Sequence, residues 1–141
     1  VEVDACVWVA GHLKDEVGHD VARELIHVVI RSGVRLEQPS ITLVELASAL
    51  RRRGADRAEV ERRVSWLAGF EGSRFYDLDL RSAIDAAGAS MITGLRTADS
   101  IYLATARHTG ATLITFDQEL LAAKVPGMRV MTPGAWLAAY G

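Results

Sequence analysis

The chain predicts an α/β domain built on a mainly parallel sheet. Short β-rich apolar runs alternate with longer stretches of helical apolar spacing along its whole length. Gly or Pro sits where one kind gives way to the next. No internal repeat, low-complexity stretch or Pro/Gly-rich linker divides the 141 residues, so one domain over 1–141 is expected. Half of the residues are hydrophobic, enough for a sizeable core without a disulfide or structural metal.

In order, Val1 to Ala10 is rich in Val and Trp and reads as a buried first strand, interrupted by Glu2 and Asp4. From Asp20 to Arg31 the apolar residues Val21, Leu25, Val28 and Val29 have helical spacing, and Gly33 follows where a left-handed cap is wanted. Val34 to Leu36 reads as a short strand ended by Pro39. Ser40 is placed to cap a helix carrying Ile41, Val44, Glu45, Ala49 and Leu50 towards Arg53, before Gly54. Ala58 to Phe70 is a further amphipathic helix, Phe75 to Leu78 a third strand, and Leu80 to Ile92 a long helix. Thr97 caps a helix from Ala98 to His108, closed by Gly110. Ala111 to Phe116 is a β-rich run, a helical turn follows through Leu120 and Leu121, Arg129 to Met131 is a last strand, and Pro133 opens a terminal helix. In parallel sheets chemistry collects beyond the carboxyl ends of the strands, so odd residues there carry the functional argument.

Charge narrows the function classes. Lys+Arg 16 against Asp+Glu 18 gives a net charge of −2, which excludes a nucleic-acid binder acting by bulk charge and leaves room only for a local patch. A single cysteine, Cys6, leaves no internal disulfide and fits a reducing interior. No apolar run approaches the length of a membrane span, and no basic region precedes an apolar stretch as in a signal peptide; a cytoplasmic protein is expected.

Four acids interrupt apolar segments or end them. Asp4 lies inside Val-Glu-Val-Asp-Ala-Cys-Val-Trp, Glu45 breaks Leu-Val-Glu-Leu, Asp99 opens Thr-Ala-Asp-Ser-Ile-Tyr-Leu-Ala-Thr-Ala, and Asp117 ends Ile-Thr-Phe-Asp. Asp99 in a first helical turn and Asp117 in a turn each have an ordinary structural reading, as helix-terminus acid and as cap. Asp4 in a strand and Glu45 within a helix have no capping role to play. Together the four can converge at one sheet edge, where their mutual repulsion calls for a cation. Oxygen-only ligands select magnesium or manganese over zinc, and such a cluster supports phosphodiester hydrolysis by metal-activated water.

With these motifs, in this order and spanning Val3 to about Met131, the chain resembles a PIN-domain ribonuclease of the VapC toxin type. The resemblance implies a five-stranded, mainly parallel sheet with helices on both faces, and a magnesium- or manganese-dependent endoribonuclease. It further implies an RNA substrate, tRNA or rRNA, homodimerisation, and a cognate antitoxin whose C-terminal segment lies over the acidic groove. By motif position Asp4, Glu45, Asp99 and Asp117 correspond to the family's acidic quartet, catalytic and metal-ligating. Asp4 and Asp99 would be direct ligands, Glu45 and Asp117 direct or water-mediated, and Glu119 a possible fifth acid. Where the family often has Ser or Thr two residues after the first aspartate, this chain has Cys6, a poorer hydrogen-bond donor.

Other features point elsewhere. Arg51, Arg52, Arg53, Arg57, Arg62 and Arg63, offset by Asp56, Glu59 and Glu61, form a segment of local charge +3. It reads as a solvated helical face with intrahelical pairs, or as phosphate contacts beside the acids. Arg96 is a separate candidate for the scissile phosphate. His12, His19, His27 and His108 lack zinc-ligand spacing, and Cys6 in a core strand is no nucleophile. Two readings compete with the nuclease: a catalytically silent PIN-like module that binds RNA or protein, and a receiver-like phosphoacceptor. The second wants a paired acid near the first strand's end and a late lysine, which Glu2 and Lys124 do not supply.

Overall fold

The computed structural model describes residues 1–141. Its elements run β1 (Glu2–Val3), α1 (Ala5–His12), α2 (His19–Arg31), β2 (Leu36–Pro39), α3 (Ile41–Arg52), α4 (Arg57–Gly69), β3 (Ser73–Tyr76), α5 (Leu80–Thr93), α6 (Thr97–Thr109), β4 (Leu113–Ile114), α7 (Gln118–Ala122), β5 (Val130–Met131) and α8 (Pro133–Tyr140). The α/β class and the five strands agree with the sequence reading, and every strand pair is parallel.

The strands form a three-stranded sheet, β1-β4-β5, and a two-stranded one, β2-β3. Two contacts join them. The Glu37 N–H donates to the Val1 carbonyl at 2.8 Å. Beyond it the fully buried Gln38 turns its amide onto β1, its Oε1 accepting from the Val3 N–H at 2.9 Å and its Nε2 donating to the Val3 carbonyl at 3.0 Å. A side-chain amide thereby satisfies the Val3 N–H that β1 would otherwise leave unpaired in the core, and joins the Trp8 indole N–H on the Val3 carbonyl.

Alternation along the strands sends neighbouring side chains to opposite faces. Val3 and Ile114 enter the larger core with Trp8, Leu25, Leu36, Leu46, Leu67 and Trp136. Leu113 enters a second core with Ala89, Tyr102, Leu103 and Leu120. Helices α1 to α4 and α8 thus cover one face, and α5 to α7 the other.

One element was misassigned by the sequence. The run from Val1 to Ala10 is a strand only over Glu2–Val3; from Ala5 it is α1, with Asp4 as its N-cap. Ala5, Val7, Trp8, Val9 and Ala10 are all buried. A helix apolar on every side has no amphipathic period, so its Val-rich sequence is indistinguishable from a buried strand. Asp4 therefore has the capping role that a strand position denied it, and Cys6 lies exposed in the first turn of α1 instead of in a core strand. Elsewhere Arg96, not Thr97, takes the N-cap position of α6, and Ser40 precedes α3 without a side-chain cap bond.

Close packing of α1 on α2 depends on Gly11, where a Cβ would lie 2.5 Å from the Ile26 methyl. Gly18, at φ +84°, starts α2 against the Phe116 ring, 2.7 Å from where a Cβ would stand. Glu2 is an anomaly in the sheet. It is fully buried, and neither carboxylate oxygen has a hydrogen-bond partner. Burial, then the charge of Asp4, raises its pKa well above the ordinary value.

Candidate active site

The site forms where β1 and β4 end side by side. Glu2 and Val3 pair with Leu113 and Ile114, so the residues that follow, Asp4 and Thr115, leave the sheet together. Thr115 Oγ1 donates to Asp4 Oδ2 at 2.6 Å, and the Asp117 N–H donates to the same Thr115 oxygen at 2.9 Å. One buried hydroxyl thus ties the first and last acids of the motif set together. Asp4 is also held by the Cys6 N–H at 3.2 Å and by the Cys6 thiol, its Sγ 3.1 Å from Oδ2. The thiol therefore reaches the aspartate that a hydroxyl was expected to serve. Although Cys6 keeps accessible surface, surrounding protein atoms and then the Asp4 charge push its thiol pKa up, away from nucleophilic use.

Asp117 caps α7, its Oδ1 accepting from the Glu119 N–H at 2.7 Å and the Leu120 N–H at 3.0 Å. That leaves its second oxygen free of protein hydrogen bonds. Asp99 projects from the first turn of α6, and Glu45 from the middle of α3; both are half-buried. The buried Tyr102, one turn along α6 from Asp99, accepts from the Ala5 N–H at 3.3 Å and faces Glu45.

The electrostatics show that the four acids share one environment. Burial, then Asp117 and Asp4, push Asp99 up to about 6, with Arg96 opposing. Glu45 is raised by burial first and by the charges of Asp4 and Asp99, against the pull of Tyr102. Positive charge offsets it only in part: Arg96 is largely exposed and pairs with Glu119 at 3.9 Å, and Arg52 acts on Glu45 without an ion pair. Such an oxygen-only, mutually repelling set suits a hard divalent ion. No three ligating side chains form a ready-made cage.

The basic segment proves mostly structural. Arg51 donates to the Ala55 carbonyl at 2.6 Å, Arg53 pairs with Glu16, Arg57 with Glu61 at 2.7 Å and Arg63 with Glu59 at 3.7 Å. Arg52, two turns along α3 from Glu45, is the member whose charge reaches the acids. Sequence reasoning placed Thr115 in the motif without a role and passed over Tyr102. A hydroxyl within Leu-Ile-Thr-Phe-Asp, and a Tyr one turn after Asp99, were the available signals. A cavity of about 410 Å³ bounded by β3, α5 and α6 contains none of the four acids.

A model of the PIN domain matches residues 1–126. The chain belongs to the PIN-domain family. No curated protein matches it by sequence. Among solved structures this PIN domain is similar to VapC20 of Mycobacterium tuberculosis, described as a sarcin–ricin-loop-cleaving toxin. The likeness has 20% identity and a TM-score of 0.73, over 91% of this chain and 98% of that one. It is also similar to a chain of a toxin–antitoxin complex from Klebsiella pneumoniae, at 18% identity and TM-score 0.68 over 94% and 97%. A third likeness is to VapBC2 of Rickettsia felis bound to a promoter DNA fragment, at 12% and 0.67 over 92% and 95%. At these identities the likenesses establish the fold, the α/β architecture of the VapC toxins. No helix of this PIN domain is long and apolar enough to cross a membrane.

Proposed function

We propose that the protein is a magnesium- or manganese-dependent endoribonuclease, the toxin of a toxin–antitoxin pair, acting in the cytoplasm on tRNA or rRNA. One observation carries the reading: Asp4 and Asp117 follow the carboxyl ends of β1 and β4, and burial, then the charges of Asp117 and Asp4, push Asp99 up to about 6 while Asp4 and Asp99 act on Glu45. Membership of the PIN family supports the chemistry, and the VapC neighbours support the biological role.

Asp4 and Asp99 would hold the ion, with Asp117 through its uncapped oxygen and Glu45 from the opposite wall. A bound divalent ion polarises a phosphate and lowers the pKa of water for in-line attack. The chain's own part is to fix the carboxylates beforehand. Thr115 and Cys6 hold the Asp4 rotamer, the α7 N-terminus holds Asp117, and the walls from α3 and α6 keep Asp99 and Glu45 half out of water. Arg96, exposed beside Asp99, would meet a phosphate oxygen.

Partners follow from the same reading. A cognate antitoxin would cover the acidic groove. A second copy would pack on α5, whose Ile84 and Ile92 stand exposed and equally spaced about Gly88, so that a two-fold axis there brings each onto the other. The test is cleavage of total tRNA and rRNA by the purified protein with magnesium, manganese or EDTA. Divalent-dependent cutting that disappears in Asp99→Asn supports the reading. RNA binding without turnover, or cutting by Asp99→Asn at the parent rate, refutes it in favour of a silent module or another site.

A further inference from the structure

At the far end of α1 from Asp4 lies a second cleft, of about 500 Å³. Its walls include His12, Lys14, His19, Arg23, Arg63 and Trp66, and no acidic residue lines it. Arg63 is shared with Glu59 at 3.7 Å, but Lys14 and Arg23 are exposed and in no ion pair. His12 and His19 each turn Nδ1 onto a main-chain carbonyl of α1, at 2.6 and 2.8 Å, which leaves both Nε2 atoms without a protein partner. Three cationic side chains around the cleft disfavour a metal there, and no ligating trio converges.

Trp66 adds a different surface. Trp8 and Trp136 are buried, whereas Trp66 is 42% exposed and stacks on Phe70 at 5.5 Å. An exposed aromatic ring beside cations is the combination that holds single-stranded nucleic acid, bases on the ring and phosphates on the cations. The cleft is also physically joined to the acids. Helix α1 carries Asp4 at its N-cap and His12 at its last residue, about 12 Å apart at 1.5 Å per residue. The Phe116 ring beside Asp117 packs on Gly18, which starts the helix bearing His19 and Arg23.

We propose that this cleft is a binding track for single-stranded RNA. Lys14 and Arg23 contact backbone phosphates, and Trp66 stacks a base, a few nucleotides from the phosphate at the acids. An acidic centre repels RNA before any ion is bound, and a chain of net charge −2 has no bulk attraction to offset this. A local cationic track supplies the missing affinity. The inference rests on the ribonuclease reading for its ligand, but it concerns different residues.

The test is binding of a fluorescein-labelled, mixed-sequence single-stranded RNA to the full chain in EDTA, between roughly 50 and 200 mM salt. The parent should bind with a steep salt dependence. Each phosphate contact removed lowers the log–log slope by about 0.7, so Lys14→Ala with Arg23→Ala should lower it by about 1.4 and weaken binding. Both side chains are exposed, so thermal unfolding of the double variant should match the parent. RNA should quench intrinsic fluorescence in the parent and lose most of that effect in Trp66→Phe. An unchanged slope in the double variant, or RNA-insensitive fluorescence, overturns the proposal. Competition by polyglutamate, with no slope change for RNA, reassigns the cleft to an acidic protein segment and overturns it too. Cleavage in magnesium with an unaltered slope would sink only the track. A normal track with no cleavage would sink only the nuclease reading.

Discussion

The two ends of α1 solve opposite electrostatic problems. At its N-terminus four acids lie near the strand ends, each pinned or half-buried, and burial together with their mutual charge raises Asp99 and Glu45. At its C-terminus Lys14, Arg23 and Arg63 surround open space with no acid on the wall. At the acidic end Asp4 and Asp117 are fixed by hydrogen bonds, as the proposed catalysis would demand of its oxygens. The cationic end is built from long, mobile side chains, because phosphate attraction is long-ranged and tolerant of geometry. On the proposed readings, chemistry and affinity would fall to separate ends of one short helix.

The sharpest way to break this contrast is at the acids. Asp99→Asn should lower magnesium-dependent RNA cleavage on the order of 10²–10³-fold. RNA binding in EDTA should be unchanged or slightly tighter, since a repelling charge is gone; gel-based cleavage and anisotropy together check this. Thr115→Val should cost less, about 10–100-fold, because it removes the donor that orients Asp4 and receives the Asp117 N–H without removing either acid. Parent-like metal affinity by calorimetry in that variant would show that the hydroxyl positions nothing.

The acids also leave a pH signature. In metal-free protein the Asp99 carboxyl should titrate near 6 by NMR and move down in Asp117→Asn. Its folded-state pKa is raised, so its contribution to stability is full below the ordinary value of 3.8 and lost as pH rises through about 6. Added magnesium should restore stability in that upper range. A midpoint that ignores Asp117→Asn would mean the two carboxylates do not share a site. The proposed dimerisation offers a further check that touches neither end of α1: light scattering should find the parent as a dimer and Ile84→Glu as a monomer. The mildest change concerns Glu2, an acid in the sheet that no groove uses. Glu2→Leu should raise stability at neutral pH by about 1–3 kcal/mol, since a buried carboxyl without partners is removed. The gain should shrink as pH falls below its raised pKa, where the parent carboxyl is already neutral.

The two ends were also unequally legible. Asp4, Glu45, Asp99 and Asp117 interrupt or end apolar runs, so they stand out as candidates without coordinates. Lys14, Arg23 and Arg63 occupy exposed polar positions of the kind every surface helix carries, and nothing local separates them from Arg57 or Arg62. The misassigned first strand has the same root. A period analysis needs one wet face, and α1 has none.

By itself the sequence determined the α/β class, the order of most elements and the identity of the acids, because apolar period, capping residues and interrupted runs are local properties. Tertiary structure decided that Asp4 caps a helix, that Thr115 links it to Asp117, and that Gln38 joins the two strand groups. It also decided that cations from α2, α4 and the loop after α1 enclose one cleft. Each of these joins residues far apart in the chain, and only the packing of helices across the sheet brings their side chains within reach of one another.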